Sequence, residues 1–126
     1  MTPLAIDSSS LIGYLNGRTG SDIAAVEQAL AAGRVVLPPL VVSEVLSLPA
    51  VTDEVAAFVC GLVQLPVLDG YWERTGRLRA RVLADGRRAR MADALIAQIC
   101  IDHGIALITA DADFRHFARH GLTLVD

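Results

Sequence analysis

The sequence contains no lysine; all eleven basic residues among its 126 are arginines. Aromatic residues are scarce, at 5%, so a core must be assembled from Val, Leu, Ile and Ala. The longest apolar run, Val35 to Val42, is eight residues long and contains two prolines. That falls far short of the ~20 apolar residues that span a bilayer, and no membrane association is expected. No basic stretch opens the chain, and Asp7 interrupts its first apolar segment, which is not the pattern of a secretory signal. The two cysteines, Cys60 and Cys100, stand alone without the spacing of a metal clip. They read as buried thiols in a reducing cytoplasm. No Gly-x-Gly-x-x-Gly follows the first apolar segment, which excludes that form of dinucleotide binding.

What is present points to one folded domain over residues 1–126. Hydrophobic residues make up 53%, mean hydropathy is +0.48 and the net charge is only −3, a composition unlike that of disordered chains. The charge is unevenly spread. Seven arginines lie between Arg74 and Arg90 against a single acid, Asp85, a window of net +6. The remainder of the chain therefore carries −9. An acidic body with a basic strip suits a protein that attracts a polyanion and keeps a metal pocket negative. A solvated arginine-rich helix face would give the same pattern.

Strand and helix patterns alternate along the chain. Short apolar strands are expected at Pro3–Ile6, Arg34–Leu37, Leu65–Leu68, Ile105–Ile108 and Leu122–Val125. Helices are expected at Ser9–Asn16, at Asp22–Ala32 after a Ser21 cap, and at Leu40–Leu48 with proline in its first turn. Further helices are expected over Thr52–Gln64 with Thr52 as N-cap, over Gly70–Ala84, and over Met91–His103, which Gly104 ends. In the arginine-bearing helix Trp72, Leu78, Val82 and Leu83 are the inward candidates. A short helix through Arg119 precedes the last strand. About five strands alternating with helices indicate an α/β domain with a mainly parallel sheet.

Four acids fall where one crevice could gather them. Asp7 directly follows the first strand, and Asp111 follows the fourth by two residues. Ligand crevices of open α/β sheets lie at the carboxyl ends of the strands. Asp93 opens the helix that feeds the fourth strand, and Glu44 stands between Ser43 and Ser47 on an otherwise apolar helix. Each has a plainer explanation. Asp7 could cap a helix, Asp93 could favour a helix dipole, and Asp111 and Asp113 could be turn formers. Glu44 could lie on a solvated face. Their common placement at one sheet edge favours a shared pocket.

At these residues the chain resembles the PIN-domain nucleases, and within them the VapC-type toxins of bacterial toxin–antitoxin pairs. The resemblance rests on Asp7-Ser8-Ser9-Ser10-Leu11-Ile12, on Ser43-Glu44-Val45, on Ala92-Asp93-Ala94-Leu95-Ile96-Ala97 and on Leu107-Ile108-Thr109-Ala110-Asp111-Ala112-Asp113-Phe114. All four stand in order and span nearly the whole chain. The resemblance implies a PIN-like three-layer α/β/α sandwich with strand order 3-2-1-4-5. It implies an acidic quartet of Asp7, Glu44, Asp93 and Asp111, with Asp7, Asp93 and Asp111 as metal ligands. Asp113 would be an accessory acid and Thr109 the hydroxyl before the fourth acid. It also implies a homodimer and a cognate VapB-type antitoxin whose C-terminal segment fills the active-site groove. The substrate it points to is RNA, in transfer or ribosomal RNA loops, with arrest of translation and growth as the outcome.

Crowded carboxylates repel one another unless a cation joins them, and all-oxygen ligation selects Mg²⁺, with Mn²⁺ as a substitute, over zinc. The chemistry expected is in-line hydrolysis of a phosphodiester, leaving 5′-phosphate and 3′-hydroxyl ends. His103, His116 and His120 lie late in the chain, away from the acids, and do not suit a metal-free ribonuclease. Arg87, Arg88 and Arg90, nearest to Asp93 in sequence, are the candidate RNA contacts. Rival readings fit less well. A haloacid-dehalogenase-type phosphatase needs an aspartate two residues after the first, where Ser9 stands, and a receiver domain needs a lysine. A non-catalytic PIN-like scaffold that binds RNA or protein would have no reason to keep four crowded acids.

Overall fold

The computed structural model describes residues 2–125. Its sheet has four parallel strands: β1 (Leu4–Ile6), β2 (Val35–Leu37), β3 (Val63–Gln64) and β4 (Ala106–Ile108), in the order β3-β2-β1-β4. The expected fifth strand reduces to a single bridge, Leu107 to Leu124, held by Leu107 N–H on Thr123 O and Val125 N–H on Leu107 O, both at 2.9 Å. The third strand lies two residues before the expected Leu65–Leu68. Leu65 N–H still reaches Leu37 O at 2.9 Å, but Pro66 has no N–H with which to continue the ladder.

Seven helices surround the sheet among the described residues: α1 (Ser8–Leu15), α2 (Ser21–Ala31), α3 (Pro39–Leu46), α4 (Asp53–Cys60), α5 (Tyr71–Ala84), α6 (Met91–His103) and α7 (Arg115–Ala118). A 3₁₀ turn, Ala112–Phe114, precedes α7. Local chemistry sets the ends of several. Thr52 Oγ1 caps α4 by accepting from Val55 N–H at 3.2 Å, as expected, and the helix stops at Cys60 rather than Gln64 because the chain must turn into β3. Gly104, at φ +62°, closes α6 in a left-handed conformation that a side chain would strain. The cap of α2 is Gly20, not Ser21, which is the first helical residue.

The buried apolar side chains form one cluster around the sheet, aliphatic except for Phe114, Phe117, Tyr71 and the Cys100 thiol. In α5 the inward face is Tyr71, Thr75, Leu78 and Val82, at the three-to-four-residue spacing of one helix face. Trp72 and Leu83, expected inside, are 65% and 46% exposed, because they fall off that face. In α6 five consecutive residues, Ile96 to Cys100, are buried, so this helix is enclosed rather than one-sided. It packs against α5, α3 and β4. Burial pushes the Cys100 thiol up to about 12, whereas Cys60 is exposed, contrary to its expected burial. No helix among the described residues is long and apolar enough to cross a membrane.

The topology decides where a site can form. From β1 the chain moves outward through β2 to β3, then crosses back to place β4 on the other side of β1. The crevice at that reversal lies beyond Ile6 and Ile108, which are paired in register.

Candidate metal centre

Asp7 is the first residue past β1 and the N-cap of α1. Its Oδ1 accepts from Ser10 N–H at 2.9 Å, and its Oδ2 accepts from Ser9 Oγ at 3.1 Å and from Thr109 Oγ1. The capping and pocket readings of Asp7 are thus compatible. The side chain is nearly enclosed, at 2% residue exposure, and this burial raises its pKa against the lowering effect of the four hydrogen-bonding groups around it.

Thr109 links the two strand ends. Its hydroxyl donates to Asp7 and accepts from Asp111 N–H at 3.0 Å, while Asp111 Oδ1 accepts from Asp113 N–H at 2.9 Å. The relay turns the segment after β4 back over the crevice and sets Asp111 as the cap of the 3₁₀ turn. Asp93 arrives from the first turn of α6. Its Oδ2 is buried without a hydrogen-bond partner. Burial, then the charge of Asp111, raises its pKa to about 6, with smaller contributions from Asp113 and Glu44 against the lowering effect of Arg90.

Asp93, Asp111 and Asp113 each offer one carboxylate oxygen, all within 4.8 Å of one another. Of the three expected ligands, Asp93 and Asp111 are in this trio; Asp7 is engaged with Ser9, Ser10 and Thr109, and the third oxygen is that of Asp113. Glu44, on α3, also has a buried oxygen, Oε1, without a partner. Its pKa is raised by burial and by the neighbouring charge of Asp7, with Ser8 offsetting part of the rise. Two orphaned carboxylate oxygens and three converging acids fit a hard divalent cation, which takes oxygen ligands and relieves their repulsion.

The arginine strip divides by structure. Arg90 spans two acids, its Nε 3.9 Å from Asp93 Oδ2 and its Nη2 3.7 Å from Asp113 Oδ2. Arg88 Nη1 stands 3.8 Å from Asp113 Oδ2. Arg87, on the same loop, makes no ion pair with these acids among the described residues, and its charge slightly lowers the pKa of Asp85, after the larger effects of His120 and Arg119. Two others serve the scaffold. Arg74 makes paired hydrogen bonds of 2.8 and 2.7 Å to Asp102, and Arg79 donates to Ala89 O at 2.7 Å. The histidines contact Pro66 O, Arg88 O and Asp85, not the trio.

Sequence reasoning places the serines after Asp7 only within a motif, without a role, and misses the acid behind them. Ser10 Oγ donates to Asp22 Oδ2 at 2.8 Å, which brings α2 into the edge of the site. The run Ser8-Ser9-Ser10, three hydroxyls in the first helical turn after an acid, was the available signal.

Residues 4–120 match the PIN domain family. No curated protein matches the chain. The fold is similar to that in the crystal structure of VapBC2 from Rickettsia felis bound to a DNA fragment from their promoter, with a TM-score of 0.76, 18% identity and 98% of both chains covered. It is also similar to VapBC-5 from Mycobacterium tuberculosis, described as a member of the VapBC family of toxin–antitoxin systems. There the TM-score is 0.67 and the identity 21%, covering 99% of this chain and 98% of that one. FitAcB from Neisseria gonorrhoeae gives 0.71 at 14% identity, covering 98% and 96%.

Proposed function

The chain belongs to the PIN-domain family, and from that premise we propose that it is a Mg²⁺-dependent endoribonuclease, the toxin of a toxin–antitoxin pair. The observation that carries this reading is the convergence of Asp93, Asp111 and Asp113 within 4.8 Å, with a buried oxygen of Asp93 that has no hydrogen-bond partner. These three residues would hold the ion, with Asp7 and Glu44 beside them. When bound, such an ion lowers the pKa of a water and neutralises charge that develops on the attacked phosphate.

The protein's own groups supply the rest. Thr109 and Ser9 fix the Asp7 carboxylate, so that the crevice does not reorganise when a substrate arrives. Burial and the charge of Asp111 hold Asp93 at about 6, so its carboxylate is half ionised there and charged at neutrality. Arg88 and Arg90 sit at hand to take phosphate oxygens once the acids have a better cation partner. Arg87, exposed on the same loop, would extend that basic rim. Products would carry 5′-phosphate and 3′-hydroxyl ends.

The partners follow the relatives in kind. Similar structures are VapBC pairs, which supports a VapB-type antitoxin for this chain. A homodimer is supported by an apolar groove of about 220 Å³ lined in part by Pro39, Leu40 and Leu95, beside the exposed Val67 and Trp72. With transfer or ribosomal RNA as its substrate, the protein would act in the cytoplasm.

The test is incubation of the purified protein with total RNA, with and without EDTA, beside Asp93→Asn. Cleavage should require the divalent ion and vanish in the variant, and expression should arrest growth only for the unaltered chain. Cleavage that persists in EDTA would remove the metal from the proposal, and no cleavage of any RNA would remove the nuclease.

A further inference from the structure

Beside the acid cluster lies a second feature that the metal chemistry does not use. Between α1, α2 and the segment after β4 there is a cavity of about 420 Å³. This lies within the ~300–1,000 Å³ common for small-molecule sites. One wall is shared with the cluster, through Ser9 and Asp111. Arg18 and Thr19, on the loop from α1 to α2, and Asp22, in the first turn of α2, line it as well. Gly17 and Gly20, at φ +74° and +147°, allow that loop its tight return.

Each wall residue has a defined chemical capacity. Arg18 forms no ion pair among the described residues, although two of its neighbours in the cavity are acids. An unpaired guanidinium is a two-pronged donor suited to phosphate. Asp22 is oriented through Oδ2 by Ser10 Oγ, whose residue is only 1% exposed, and this leaves Oδ1 to accept from another hydroxyl. The floor is Gly13, in the middle of α1. A Cβ there would lie 3.0 Å from Ile23 Cδ1 and 3.6 Å from Arg18 Cδ. Glycine costs an interior helical position roughly 0.5–1 kcal/mol relative to alanine. Here the tight neighbour is Ile23, which packs against the bare backbone, while the Arg18 stem passes at ordinary contact distance.

We propose that this cavity seats the nucleotide adjoining the cleaved bond, with Arg18 on a neighbouring phosphate and Asp22 accepting from the ribose 2′-hydroxyl. The inference rests on the nuclease reading and adds to it a source of discrimination. The 2′-hydroxyl is the donor that distinguishes RNA from DNA at a given position. A phosphate is drawn to Arg18 and repelled by Asp22, so the two side chains also fix which end of the nucleotide faces which wall.

The test uses the full chain in EDTA, with fluorescence anisotropy of a five-nucleotide RNA and of its DNA counterpart. Arg18 is on an exposed loop, and Arg18→Ala should keep the native melting profile. It should weaken both oligomers about tenfold, in line with loss of a charge-assisted hydrogen bond. Asp22→Ala should bring the ratio of RNA to DNA affinity toward one, whatever happens to both affinities together. In the Mg²⁺ assay Arg18→Ala should raise KM about tenfold and leave kcat within a factor of two.

Unchanged binding of both oligomers by Arg18→Ala overturns the proposal, as does an RNA-to-DNA ratio insensitive to Asp22→Ala. The two readings can fail separately. Cleavage by the unaltered chain together with an unchanged KM in Arg18→Ala sinks the cavity and spares the nuclease. Binding that depends on Arg18 without cleavage in Mg²⁺ or Mn²⁺ does the reverse.

Discussion

The substitution Asp93→Asn keeps the size of the side chain and removes its charge from the most crowded point of the acid cluster. In the metal-free protein Asp93 titrates at about 6 rather than its ordinary 3.8, chiefly through burial and the charge of Asp111. Its folded-state pKa is raised, so between those values the folded chain binds more protons than the unfolded chain. Stability must then fall as the pH rises from about 4 to about 6, and level off above. The difference corresponds to roughly 3 kcal/mol. The side chain is 15% exposed, so screening by solvent takes little of it. For a domain of this size that is on the order of 10 °C in Tm.

Melts in EDTA at pH 4.5 and 7.5 should therefore show Asp93→Asn more stable than the unaltered protein at the higher pH. The gap should close at the lower one. Mg²⁺ should reverse the order. At a thousandfold excess over Kd it stabilises the unaltered protein by about 4.1 kcal/mol, more than the gap, and does little for the variant. The reasoning is refuted if Asp93→Asn melts at or below the unaltered protein in EDTA at pH 7.5, or if the gap is independent of pH.

Thr109→Val removes the hydroxyl between Asp7 and Asp111 N–H at nearly constant volume; it should cost about 1–3 kcal/mol in urea unfolding and lower kcat more than KM. Replacing Arg87, Arg88 and Arg90 together with serine should weaken RNA binding and reduce the slope of log affinity against log salt by at most about 2, measured by anisotropy titrations; an unchanged slope would dismiss these contacts. Asp102→Asn breaks the paired bonds with Arg74, which with Gln98 hold the Asp102 pKa below its ordinary value. The stability they supply is present above the ordinary carboxylate range and lost as pH falls through the lowered value. Unfolding curves of Asp102→Asn and the unaltered chain should then differ by about 1 kcal/mol at pH 7 and converge in acid, with RNA cleavage unaffected.

The strand ends were legible because apolar runs stop at charged residues: Ile6 at Asp7, and Ile108 shortly before Asp111. Parallel order followed from helices between short strands, and the match to the observed sheet is close. The phase of α5 was less legible. Hydrophobicity alone favours Trp72 for the core, but its neighbour Tyr71 shares a face with Thr75, Leu78 and Val82, and Tyr71 Oη also finds Leu95 O at 2.6 Å. The place of Asp113 in the trio depends on a 3₁₀ turn capped by Asp111, which no sequence period announces. Asp22 comes near the crevice only because α1 and α2 pack together, a contact between helices that single-chain patterns do not encode. Cys60 lies in an apolar segment, yet α4 gives only Val59 to the core.

The hydroxyl bridge between Asp7 and Thr109 joins residues 102 positions apart. During synthesis the ribosome releases Asp7 early and must still add β4 and the turn beyond it before the acids can meet. A truncated or half-made copy that ends before Asp113 lacks a corner of the trio. On the proposed reading, a copy still on the ribosome has no complete acid cluster with which to act.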